Sequence, residues 1–219
     1  MALITKNGED TRVPGKALPK ALRRDGALGK LDGMALNKFK RLPMLKQGGL
    51  LEDARNEKYA RITSLIARVK DESYGNFQNR WDAVPLLLAE VPGKPRRVQK
   101  AILAALAPVL LIEGGKYRCL KAFYKVKGDI LAGLHGIMEN DPLPMNKRFA
   151  IVAIGKIADC ASYPHILKTM KIHGMREDVY KSLVDVVPVI AFRYINAGPE
   201  STKLHEDAWG KAIKEAGTV

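Results

Sequence analysis

The sequence predicts an all-α protein, and three observations carry that expectation. From residue 51 onward, apolar residues recur at three- and four-residue steps. Short clusters rich in Gly, Pro and Asn ("PGKP", "EGG", "NDPLP", "NAGPES") interrupt the pattern at intervals that suit helices. No stretch alternates apolar and polar residues for long enough to make a convincing strand.

Residues 1–50 differ from the rest. They are rich in Gly, Pro and Lys ("GEDTRVPGKALPKALRRDGALGKLDG"), and their apolar residues are scattered. Such a segment buries too little surface to offset the entropy of ordering. It reads as an extended basic arm with a short helix at 34–42, ordered only against a partner; the alternative is a strap packed along its own domain. Residues 51–219 read as a helical domain. The segment "LLEDARNEKYARITSLIARVKDE" places Leu51, Ala54, Tyr59, Ile62, Leu65, Ile66 and Val69 on one helical stripe. Further helices are expected at 77–91, 96–112, 116–126, 128–140, 146–158, 163–172, 176–195 and 202–216.

Within the stretch "NKRFAIVAIGKIADCASYPHILKTM" (146–170), an apolar helix containing a glycine runs through a short polar turn into a second helix opened by proline. Arg148, Ile151, Ala153, Ile154, Gly155, Ile157, Asp159, Pro164, Ile166, Leu167 and Met170 stand in the pattern of a HEAT-type repeat, and the stretch resembles that family. It departs by carrying Ile154 for the usual leucine and Ala158 for the glycine before the aspartate, and neither change is expected to disturb packing. Segments 97–106 and 176–187 align weakly with 148–157 and 146–157, so the repetition is degenerate. The resemblance implies a short right-handed α-solenoid of HEAT-like helix pairs. Three structural roles follow from the residues themselves. Gly155 removes a side chain where two helices approach closely, at about 1 kcal/mol of helix propensity against Ala. Asp159 accepts backbone N–H bonds at the turn, and Pro164 fits a first-turn position where its missing N–H is harmless.

Several chemistries lack support in the sequence. The two cysteines, Cys119 and Cys160, are far apart, with no C-x-x-C and no histidine at metal-ligand spacing. The four histidines, His135, His165, His173 and His205, are dispersed, so a metal site would require tertiary assembly, and no cofactor is expected. "EGGKYR" lacks the P-loop pattern, no Ser or Cys has a nucleophile-elbow context, and no small-molecule substrate is evident. The longest uninterrupted apolar run, 101–112, is too short to span a bilayer and contains Pro108, so a cytoplasmic protein is expected.

Charge is the informative signal. The chain carries 37 Lys and Arg against 23 Asp and Glu, a net +14. Residues 1–50 hold 11 basic and 4 acidic side chains, and residues 96–130 hold 8 and 2, so these two segments carry nearly all of the excess. The arm contributes Arg23, Arg24, Lys38, Lys40 and Arg41. "KPRRVQK" places Arg96, Arg97 and Lys100 at a helix start, where acids are ordinarily preferred. "KYRCLKAFYKVKG" adds Lys116, Arg118, Lys121 and Lys125, of which Lys121 and Lys125 share a face, with Tyr117, Phe123 and Tyr124 between them. The leading expectation is a non-enzymatic scaffold subunit of a larger assembly that engages nucleic acid through this arm and ridge. The alternative is an adaptor for an acidic protein or a neighbouring subunit. A HEAT-like DNA-repair enzyme is a third reading, with Trp81 and Asp82 as its visible candidates.

Overall fold

The computed structural model describes residues 2–4, 10–12, 58–73 and 75–217. The chain divides into two units, Met1–Ser64 and Leu65–Val219, and the division falls inside a helix at 58–70, here α1. In the first unit, β1 (Ala2–Ile4) and β2 (Asp10–Arg12) pair antiparallel, with Ala2 opposite Arg12 and Ile4 opposite Asp10. This hairpin corrects the strand-free reading of the first 50 residues. Strands of three residues are too short to leave an alternating pattern. The helix expected at 34–42 and the basic residues Arg23, Arg24, Lys38, Lys40 and Arg41 lie outside the described residues.

The second unit is all-α: its described residues form helices joined by short turns, with no strand among them. After α1 come α2 (Phe77–Ala89), α3 (Arg96–Ala107), α4 (Lys121–Asn140), α5 (Pro144–Ile157), α6 (Tyr163–Met170), α7 (Glu177–Asn196) and α8 (Pro199–Gly217). Gly93, with φ of 71°, turns the chain between α2 and α3, a backbone region that favours glycine. α3 does not stop at the turn foreseen near 112. It continues through a π-helical segment, Pro108–Glu113, and a last turn, Gly114–Lys116. By length and composition alone the run Arg96–Lys116 is apolar enough to cross a membrane, although Ile102, Leu106, Val109 and Leu110 are buried in the domain core.

The two helices expected at 116–126 and 128–140 are one, α4. Gly128 is exposed on its surface, and the buried series Phe123, Val126, Ile130, Leu134 and Ile137 passes it without a phase change. The break lies instead at 117–120, where the Leu120 N–H bonds the Tyr117 carbonyl.

The core lies where these buried stripes meet. α2 packs on α4, with Trp81 edge-on to Phe123 at 5.1 Å between ring centres, and α4 packs on both α5 and α6. α5 packs on α3 and α7, and α8 packs on α6 and α7. Three contacts give α3, α5 and α7 one direction. Gln99 meets Asn146 near the starts of α3 and α5, and Arg148 meets Asp178 near the starts of α5 and α7. Arg193, late in α7, meets the Lys156 carbonyl at the end of α5.

Packing between α5 and α7 is closest at Gly155, where a Cβ would lie 2.8 Å from Val186 Cγ2. α5 ends at Ala158, whose φ of 51° puts it in the left-handed region. The alanine at this position is therefore not neutral. It carries a backbone strain that glycine would relieve.

Candidate anion-binding cleft

Three helices that run side by side begin at one place. Arg96 opens α3, Leu143, Pro144 and Met145 open α5, and Arg176 and Asp178 flank the first residue of α7. Together with Arg148, these residues line a cleft of about 400 Å³. Neither α3 nor α5 has a side-chain N-cap or an acidic residue in its first turn. The first turn of α3 thus presents free N–H groups and the positive end of its dipole at the cleft, whereas α5 opens on Pro144, which has no N–H, beside the Asp141 carboxylate.

Three guanidinium groups and one carboxylate give the cleft a formal charge of +2. Arg176 grips Asp178 in bidentate fashion, donating from Nε to Oδ1 and from a terminal nitrogen to Oδ2, both at 3.1 Å. Arg148 approaches the same carboxylate at 3.6 Å. Partial burial pushes the Asp178 carboxyl up, but the Arg176 hydrogen bond and the charges of Arg176 and Arg148 hold it below the usual carboxylate range. Arg96 has no ion-pair partner among the described residues and is exposed.

A buried amide network fixes the walls. Asn146 Nδ2 donates to Gln99 Oε1 at 2.8 Å and to Asp141 Oδ2 at 3.0 Å, and Gln99 Nε2 donates to the Val91 carbonyl at 3.0 Å. Asp141 Oδ1 accepts from the Leu143 N–H at 2.8 Å. All three side chains are buried, so the network ties the start of α3 to the start of α5.

The basic residues foreseen as one ridge form two groups. Arg96, Arg97 and Lys100 are exposed at the start of α3. Lys116, Arg118, Lys121 and Lys125 are exposed at its far end, where Arg96 and Lys116 are about 30 Å apart at 1.5 Å per residue. Arg193 joins the second group. Its guanidinium is held below its ordinary value first by burial and then by the neighbouring charge of Arg118. The sequence reading missed Arg148, Arg176 and Arg193 as site residues. The signal that marked Arg96 and Arg97, basic side chains where a helix start prefers acids, is also present at Arg176, but there the acidic pair Glu177 and Asp178, which reads as a partner for the helix dipole, masks it. Arg148 stands beyond the first turn of α5 and carries no such signal.

At the turn after α5, Asp159 Oδ1 accepts from the Ala161 N–H at 2.9 Å, and its other oxygen pairs with Lys127. Pro164 stands in the first turn of α6. Trp81 is fully buried, and Asp82 accepts from Gln78 at 2.6 Å, so the two do not combine into a surface site.

The fold brings two of the dispersed histidines together. His135 and His165 stack with ring centres 3.9 Å apart, His165 Nδ1 lies 2.6 Å from Glu139 Oε1, and Lys168 donates to the other Glu139 oxygen at 2.8 Å. His135 Nε2 lies 3.0 Å from Ser162 Oγ, and both residues are buried. No group of three or more His, Cys, Asp or Glu among the described residues is arranged to hold a metal. Burial, and then the neighbouring His165, pushes His135 down to about 4 from an ordinary 6.5, while Glu139 and Asp159 oppose the shift.

Between those values the unfolded chain binds a proton that the folded chain does not. Stability is therefore full above pH 6.5 and falls as pH drops toward 4. The expected loss is about 1 to 3 kcal/mol once solvent screening is allowed for. Denaturant titrations across this range should show that His135→Gln flattens the pH slope relative to wild type; an unchanged slope would assign the acid sensitivity to other groups.

No family model matches the chain, and comparison with curated proteins and with solved structures finds no match.

Proposed function

We propose that the chain is a non-enzymatic binding module, a scaffold subunit that holds nucleic acid within a larger assembly. In this reading α2 to α8 form a short right-handed α-solenoid of degenerate HEAT-like pairs, since each helix packs on its successor or on the next but one. The carrying observation is the cleft where three side-by-side helices present Arg96, Arg148 and Arg176. Exposed guanidinium groups beside the uncapped start of α3 suit phosphate, and they position a strand without reading its bases. The same reading places the protein in the cytoplasm, where free Cys119 and Cys160 stay reduced.

A second reading, an adaptor for an acidic protein, is favoured by one observation. α7 carries exposed Tyr180, Val184, Phe192 and Ile195 along its length, with Phe192 67% exposed. Partner proteins cover such rows more often than nucleic acids do.

The deciding measurement is a salt titration of binding to single- and double-stranded DNA and to RNA. Replacing Arg96, Arg97, Lys100, Lys121 and Lys125 together should weaken binding to every sequence alike. The slope of log K against log salt should flatten by about 0.7 to 0.9 for each phosphate that the variant no longer neutralises. If wild type binds none of these at low salt, the adaptor reading replaces this one.

A further inference from the structure

Resting on that reading, we infer that the cleft at the starts of α3, α5 and α7 takes a terminal phosphate, a phosphomonoester at the end of a strand, in preference to the diesters along it. Charge is the first argument. A phosphomonoester carries about −1.5 to −2 at neutral pH, whereas a backbone diester carries a single charge. The cleft's three arginines less Asp178 leave +2, which a monoester neutralises and a diester does not.

Geometry is the second argument. Asp178 already occupies the position an oxyanion would take, between Arg176 at 3.1 Å and Arg148 at 3.6 Å. The site is thus organised around one compact anion gripped by forked donors, as arginine binds carboxylate or phosphate. Asp178 is a resident competitor, and a dianion displaces it more readily than a diester does.

Shape is the third argument. A volume of about 400 Å³ exceeds what a phosphate fills and falls in the range of small-ligand pockets. Beside the arginines, Leu143, Pro144 and Met145 supply an apolar wall suited to the sugar and ring of a terminal nucleotide.

The test compares short single-stranded oligonucleotides ending in 5′-phosphate, 3′-phosphate or hydroxyl with a nucleoside 5′-monophosphate. Binding is measured by calorimetry at fixed salt to wild type, Arg96→Ala, the double variant Arg148→Ala/Arg176→Ala, and Asp178→Asn. These arginines are exposed, and Asn matches the shape of the half-exposed Asp178 side chain while Glu177 keeps an acidic residue in the first turn of α7, so the variants should fold. The expected result is about tenfold tighter binding of at least one phosphorylated end than of hydroxyl ends. That advantage should disappear in both arginine variants and grow in Asp178→Asn.

If phosphorylated and hydroxyl ends bind alike and the monophosphate does not bind, the inference is overturned while nucleic-acid binding stands. If the monophosphate binds as tightly as the phosphorylated strand and hydroxyl-ended strands do not bind, the phosphomonoester site stands. Its source is then a free nucleotide, and the strand-binding reading falls. If nothing binds, both fall.

Discussion

Replacing Arg80 with alanine should cost about 3 to 5 kcal/mol, the largest single-residue effect expected in this domain. Arg80 is buried on α2 and ties three segments together. Its Nε donates to the Val69 carbonyl at 2.7 Å, a terminal nitrogen lies 2.7 Å from Glu113 Oε2, and Glu72 approaches at 3.8 Å. Truncation leaves the half-buried Glu113 carboxylate without its cation, leaves the Val69 carbonyl short of a donor, and leaves a void where the buried side chain stood. Chemical denaturation of three variants separates these contributions. Arg80→Met fills the space but strands Glu113, so its loss should be intermediate; Arg80→Met/Glu113→Gln, which removes the orphaned charge, should recover part of it. If the double variant is no better than Arg80→Met, the cost lies in the Val69 bond and in packing, and not in the ion pair.

Gly155→Leu should destabilise the domain by at least about 1 to 3 kcal/mol, because even the first added atom has no room. A Cβ there would sit 2.8 Å from Val186 Cγ2 and 3.8 Å from Val189 Cγ1, both on α7. Relief requires the Val186 side chain to turn or α7 to move away from α5, and the second motion would also disturb the Arg148 contact to Asp178. Gly155→Ala gains helix propensity but still meets Val186, so it should lose less than Leu does. Val186→Ala in the Gly155→Ala background should restore part of the loss. Thermal melts of the set check this, and an unchanged melting temperature in Gly155→Leu would mean that the two helices yield freely at this point.

The helices were legible because their periodicity is strong. The expected starts of α2, α3 and α6 agree with the fold to the residue, at Phe77, Arg96 and Tyr163. Misreadings arose where a residue's intrinsic preference was overruled by packing. Gly128 reads as a break, yet it sits in an exposed position of α4 whose buried stripe continues past it. "EGG" reads as an end, yet the Gly114 N–H bonds back to the Val109 carbonyl and carries the helix onward. The site was less legible than the fold. Arg96 was visible from its position alone, but Arg148 and Arg176 become its neighbours only when α3, α5 and α7 lie parallel. No local pattern encodes that alignment. The same holds for His135 and His165, which are 30 positions apart in the chain and stacked in the fold.

The π-helical segment at Pro108–Glu113 bears on how the length of this chain can vary. Its hydrogen bonds span one residue more than those of an α-helix, so the turn holds a surplus residue. Deleting one residue inside it rewinds the turn as ordinary α-helix, with Ile102 and Leu106 before it and Gly114 after it keeping their directions. An insertion or deletion at most other points of α3 would instead rotate everything downstream by about 100° and turn its buried stripe outward. Length differences between this chain and any descendant or relative should therefore gather at 108–113, a stretch inside a helix, as well as in the loops.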